Sequence, residues 1–248
     1  MKHIGILAHS AEGATLCYRE MWMDGVRRLG SHKHPEITMT GIGMANLLAA
    51  WEANDLQTLR AAFMRDADKL AAAGADFFVC PDNTAHIALE APGGPFPIPC
   101  LHIGEVVGDQ AQRDGRRKVG ILGTKWTMTG SVYPGALGRR GIAWAIPDEA
   151  DRKRVDDIIF GELCLGIFTD ASRDAYVGII DKLAAQGCDS VALVCTEIPL
   201  LITEDISPLP ILDSTRLLAR TAIEVAIGDR ATPDWRGGPV AEPPAAAE

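Results

Sequence analysis

Two apolar runs constrain this chain more than any other feature. Asp76-Phe-Phe-Val-Cys-Pro-Asp-Asn-Thr-Ala-His86 and Val191-Ala-Leu-Val-Cys-Thr-Glu-Ile198 each stop abruptly at a cluster of small polar residues. A short continuous apolar run reads as a strand buried on both faces, and small polar residues directly after it read as a turn into a helix. Such strands belong to parallel α/β sheets, whose ligands gather beyond the carboxyl ends of the strands. In this alignment Cys195 closes one run and Asp82 takes the matching place after the other.

The rest of the chain repeats the same unit. Ile4 to Ala8 reads as a strand, His9-Ser-Ala-Glu-Gly-Ala-Thr15 as its polar turn, and a helix follows to Leu29. A strand over 37–42, a helix over 56–73 ending at Gly74 and the strand Phe77 to Cys80 complete the first half. The pattern restarts at Lys118-Val-Gly-Ile-Leu-Gly123, with Gly123-Thr-Lys-Trp-Thr127 as the turn. A helix through Tyr133 to Leu137, a strand over 142–145, helices over 149–160 and 172–186, and the strand Ser190 to Val194 follow. This is an internal duplication of architecture. The Pro-rich run Ala91 to Pro99, a short strand over 98–102 and a helix over 104–114 together read as the crossing point between the halves. Leu209 to Asp213 closes the sheet-forming chain, and a helix over 214–227 returns to the first half. Beyond Gly228, Pro, Gly and Ala dominate, a composition that predicts disorder unless a neighbouring subunit holds the tail.

Composition excludes several classes of function. A net charge of −9, with no patch of Lys and Arg, argues against nucleic acid or an anionic membrane as partner. No run approaches the ~18 apolar residues of a membrane span, and the N-terminus enters a strand without a signal peptide, so the expectation is a cytoplasmic protein. Its six cysteines (17, 80, 100, 164, 188 and 195) then stay reduced, and none shows zinc-ligand spacing, so no metal site is expected. Neither a dinucleotide fingerprint nor a phosphate loop occurs, and no nucleotide cofactor is expected.

The candidate site residues sit at the strand ends. Cys195, beside Thr196 and a helix start, has the setting of a reactive thiol, with packing as the alternative. Asp82 and Asn83 each read either as helix caps or as site residues, Ser10 as a cap or a donor to a substrate carboxylate, and His86 as a structural histidine or an accessory group.

With these stretches in place, the sequence resembles the aspartate/glutamate racemase superfamily, in its bacterial amino-acid racemase branch. Val155 to Ser172 and Cys195-Thr-Glu-Ile-Pro-Leu-Leu201 carry the resemblance, with looser agreement at Gly120 to Met128 and Asp82 to His86; it spans about 4–227. The resemblance implies an α/β fold of two similar Rossmann-like lobes with mainly parallel sheets, related by a pseudo-twofold axis, with the active-site cleft between them. The lobes would be residues 1–102 with 209–227, and 103–208, leaving 228–248 as the tail. It implies cofactor-independent racemisation by proton transfer at the α-carbon of an amino acid or related carboxylic acid, in a homodimer. Family members carry one cysteine per lobe on opposite faces of the substrate. Cys195 matches the second, whereas Asp82 stands where the first is cysteine, or threonine in some relatives. Asn83, Thr84, Thr124 and Thr196 are then candidate donors to the small-molecule carboxylate, with Glu197 as an accessory group. The turn at His9 lacks the usual Gly-Gly-Met-like sequence, and Gly41 to Asn46 has no cation to read a side-chain carboxylate.

Three functions remain in play: a two-base racemase or epimerase using Cys195 and Asp82, a one-cysteine decarboxylase, isomerase or lyase of the same superfamily, and a carboxylate-binding protein without catalysis.

Overall fold

A computed structural model describes residues 1–240. In chain order the first lobe holds β1 (Ile4–Leu7), α1 (Ala11–Leu29), β2 (Ile37–Thr40), α2 (Leu48–Glu52), α3 (Leu56–Ala72), β3 (Phe77–Val79), α4 (Ala85–Leu89) and β4 (Cys100–Leu101). A linking helix, α5 (Ile103–Arg113), leads to β5 (Lys118–Gly123), α6 (Lys125–Thr129), α7 (Val132–Gly138), β6 (Ala143–Ala145) and α8 (Glu149–Gly161). The chain continues through α9 (Asp170–Ala185), β7 (Ser190–Val194), α10 (Ile198–Leu201), β8 (Ile211–Asp213) and α11 (Ser214–Ile227).

The strands form two four-stranded sheets in the orders β2-β1-β3-β4 and β6-β5-β7-β8, the same order in each lobe. Every recorded pair is parallel, with Ile6 opposite Val79 in one sheet and Gly123 opposite Val194 in the other. The fold is therefore two duplicated α/β lobes. The central strands β1, β3 and β7 are buried throughout, as expected of parallel strands covered by helices on both faces.

Local chemistry sets the helix limits. Ser10, Asp55, Thr124, Asp148, Thr169 and Asp213 each place a side-chain oxygen on a backbone N–H of the first helical turn. Gly74 and Gly187 turn the chain in the left-handed region after α3 and α9 and deliver it into β3 and β7.

The two lobes exchange helices. α11 follows the last strand of the second sheet, yet Leu218, Ala219, Ala222 and Ile223 pack with Ile4, Ile6, Cys17 and Met21 of the first lobe. α5 follows the last strand of the first sheet; its Ile103 and Val106 join that same cluster, while Val107 and Ala111 pack with Val119, Ile121, Tyr133 and Leu137 of the second lobe. The crossing between lobes runs through α5, which follows the Pro-rich run and β4. The strand at 211–213 pairs with β7 in the second sheet, so the return to the first lobe starts at Ser214 and not at Leu209.

The tail also departs from expectation. Residues 228–240 fold back over the first lobe: the carbonyls of Trp235 and Arg236 accept from Cys100 N and Phe96 N, both at 2.8 Å, and Leu89 O accepts from Gly238 N at 2.9 Å. Composition misses this because the anchors depend on remote partners: backbone groups, the Trp235 ring over His86 and His102, and the guanidinium groups of Arg230 on Asp109 and Arg236 on the Phe96 and Pro97 carbonyls. The part of the tail beyond Val240 lies outside the described residues. No helix among the described residues is long and apolar enough to cross a membrane.

Candidate active site

The carboxyl ends of β1, β3, β5 and β7 surround a cavity of about 150 Å³ between the lobes. This is the position at which parallel α/β sheets bind ligands. Its lining includes Ser10, Asp82, Asn83, Thr84, Thr124, Cys195, Thr196 and Glu197, so all but one of the candidate residues meet in one space. The exception is His86, which lies elsewhere: its Nδ1 donates to Asp82 O at 3.0 Å, and its Nε2 accepts from Ile103 N at 3.2 Å. Burial, then the neighbouring His102, hold the His86 imidazole well below its ordinary pKa. Both ring nitrogens are thereby used in fixing the start of α5 to the turn after β3.

The duplication places residues in pairs. Asp82 stands three residues before the first residue of α4 and Cys195 three before that of α10. Ser10 and Thr124 stand immediately before α1 and α6, and both cap them: Ser10 Oγ accepts from Gly13 N at 3.0 Å and Thr124 Oγ1 from Thr127 N at 3.3 Å. One residue of each pair comes from each lobe.

Cys195 is buried at the end of β7, and its Sγ–H donates to Glu197 Oε2 at 3.0 Å. The same carboxylate oxygen accepts from Thr196 Oγ1 at 2.7 Å. Burial first, and then the Glu197 charge, push the Cys195 thiol well above its ordinary pKa, so the resting group is S–H. Asp82 is half-buried, and its Oδ1 accepts from Ala85 N at 3.1 Å.

Donors available to a carboxylate can be ranked by what each already does. Thr84, Thr124 and Thr127 form a triangle of hydroxyls with oxygens 3.0 to 3.2 Å apart, so each proton can be used within it. Thr196 is committed to Glu197. Asn83 differs: Tyr133 O–H donates to its Oδ1, while its buried Nδ2 has no partner among the described residues. A buried amide N–H₂ without an acceptor is costly.

Sequence reasoning singled out the segment that holds Met44 but missed the rest of the side walls. Met44, Leu48 and Trp51 come from the segment between β2 and α3, and Ile159, Phe160 and Cys164 from the end of α8 and the turn after it. These segments occupy corresponding places in the two lobes, so the duplication was the signal that could have found them. His9 also lines the cavity, with its Nε2 accepting from Trp51 Nε1 at 3.0 Å. The Cys164 thiol is pushed up to about 11 by partial burial, then by the charges of Glu197, Glu12 and Asp82. Among the described residues no group of three or more His, Cys, Asp or Glu side chains is placed to hold a metal ion.

A paired, duplicated site of this kind can be compared with known proteins. The Asp/Glu/hydantoin racemase family model matches residues 10–222. The chain belongs to that family. The broad-specificity amino-acid racemase of Bacillus subtilis (strain 168) is 24% identical to this racemase-family chain over 169 residues, covering 68% of it and 73% of the relative. The crystal structure of a candidate Asp/Glu racemase from Yersinia pestis is similar with a TM-score of 0.82 and 33% identity, covering 92% of this chain and 100% of that one. An aspartate racemase homologue from Pyrococcus horikoshii OT3 gives a TM-score of 0.76 and 26% identity over the same shares.

Proposed function

We propose that this racemase-family protein is a cofactor-independent racemase or epimerase that moves a proton at the α-carbon of an amino acid or related carboxylic acid, with Asp82 and Cys195 as its two acid/base groups. The observation that supports this most is that two proton-carrying side chains, at equivalent positions of the two lobes, line one cavity. An α-proton next to a carboxylate is weakly acidic, so its removal needs a base in a dry site and donors around the developing negative charge. Asn83 Nδ2 and the Ser10 hydroxyl serve the carboxylate in this reading, and Thr84, Thr124 and Thr196 shape the wall beside it. Cys195, resting as a thiol, supplies a proton to one face while Asp82 takes one from the other; the reverse reaction exchanges these roles. Glu197, which accepts from Sγ, holds the Cys195 thiol in place at the end of β7. The reading carries with it a cytoplasmic homodimer, as the family resemblance implies.

The test is solvent exchange. In deuterated water, an accepted substrate should gain one deuteron at Cα and lose optical activity, and Cys195→Ala should reduce the rate by 10³-fold or more, on the order expected for losing an acid/base group. A folded protein that exchanges no α-proton in a broad panel of D- and L-acids would refute the proposal.

A one-cysteine decarboxylase, isomerase or lyase is the second reading, favoured by the bond from Ala85 N to Asp82, which suits a purely structural cap. Asp82→Asn separates the two: racemisation collapses if Asp82 carries protons, whereas a one-cysteine reaction survives the amide.

A further inference from the structure

The walls of the cavity point to the side chain of the substrate. The reacting groups occupy the strand ends, and the rest of the space is enclosed by Met44, Leu48 and Trp51 from the first lobe and Trp126, Ile159 and Phe160 from the second. Among the described residues no Lys or Arg lines it, and its acidic groups, Asp82 and Glu197, belong to the reacting end. His9 is the one imidazole in the lining, and its Nε2 lone pair is taken by the Trp51 indole N–H, so that nitrogen cannot donate to a carboxylate. Lys125 precedes Trp126 but is not part of the lining; its ammonium lies over the Trp126 ring, 4.5 Å from the centroid.

A second carboxylate entering this space would lose its water without gaining a cation. A cationic side chain would meet the aromatic and aliphatic walls before it reached either acid. An aliphatic or aromatic side chain instead replaces water against those six residues. We infer that the specificity of this site is for α-amino acids with uncharged apolar side chains, of the leucine, methionine and phenylalanine type, and not for aspartate or glutamate. This rests on the racemase reading above and narrows its substrate class. Leu48, at the start of α2 and 48% exposed, is the wall position at which charge can be introduced without opening the core.

The experiment measures α-proton exchange in deuterated water for apolar, acidic and basic amino acids, with the wild-type chain and with Leu48→Arg. Support is a kcat/KM for the best apolar substrate at least about tenfold above aspartate, glutamate, lysine and arginine, with that preference over glutamate falling in Leu48→Arg. Exchange that is as fast or faster with acidic or basic amino acids overturns this inference and leaves the racemase reading intact. Absence of exchange with every amino acid, in a protein shown to be folded, removes the racemase reading and the inference with it.

Discussion

Cys195 and Glu197 share one proton-bearing contact, and its chemistry can be tested without substrate. The Glu197 charge raises the thiol pKa, so replacing it by a neutral amide of the same shape moves the thiol back down. In a Cys164→Ser background, which removes the other thiol in the cavity, Glu197→Gln should shift the midpoint of iodoacetamide reactivity at Cys195 to lower pH by about one unit or more, a change expected when an adjacent like charge is lost. An unchanged or higher midpoint would show that burial alone sets the thiol. At this scale the sequence was informative where the backbone pattern was simple: a residue at the end of an apolar run must sit at the end of a strand, which placed Cys195, Asp82, Ser10 and Thr124. It was silent where a side chain's partner is remote in sequence, as with Asn83 and Tyr133, or His86 and the backbone of Ile103.

The longer elements that were read lie within a residue or two of their limits because capping side chains and left-handed glycines mark their ends, and α11 spans Ser214 to Ile227 as read, whereas α2 was not read and α6 falls in a stretch read as a turn. What the pattern does not contain is how closely two elements approach. Gly13, in the first turn of α1, shows this: a Cβ there would lie 2.3 Å from Pro81 O and 2.7 Å from Thr196 Cγ2. The first turn of α1 therefore touches both strand-end turns, one from each lobe. In a helix, Gly→Ala ordinarily stabilises by up to about 1 kcal/mol, but here the added methyl must displace backbone. Gly13→Ala should cost about 1–3 kcal/mol of stability, read as a lower denaturation midpoint at constant slope, and should also lower kcat by shifting the Cys195 turn. The tail failed as a sequence reading for a similar reason. Gly237 takes φ 81° with its would-be Cβ 2.4 Å from Phe96, and no local property of a Gly-Gly-Pro stretch reports that the Phe96 ring is there to receive it.

For the whole molecule, the joint between lobes is both apolar and charged. On α5, Glu105 pairs with Arg139 and Arg140 at the end of α7, and Asp109 pairs with Arg140 and with Arg230 of the tail. Burial raises the pKa of Glu105, but hydrogen bonds and charge from Arg139 and Arg140 outweigh it and the net shift is downward. A carboxyl group whose pKa is lower folded than unfolded binds fewer protons in the native state, so its contribution is present above the unfolded value and lost as pH falls through the folded one. Stability should therefore fall below about pH 4.5, and thermal melts of Glu105→Gln should lose less on acidification than wild type while starting lower at neutral pH. Equal slopes for the two proteins would assign the acid sensitivity elsewhere. The duplication was readable from the order of strands and turns, whereas the helix exchange was not, because α5 and α11 are amphipathic in any arrangement and only the packed structure says whose core each one covers. Like two hands each gripping the other's wrist, α5 and α11 leave neither half self-sufficient. Chain halves divided at the junction would each expose the apolar groove that its counterpart's helix had filled, so a gene split there would yield products that depend on one another to fold, and the cleft can breathe only as far as that grip allows.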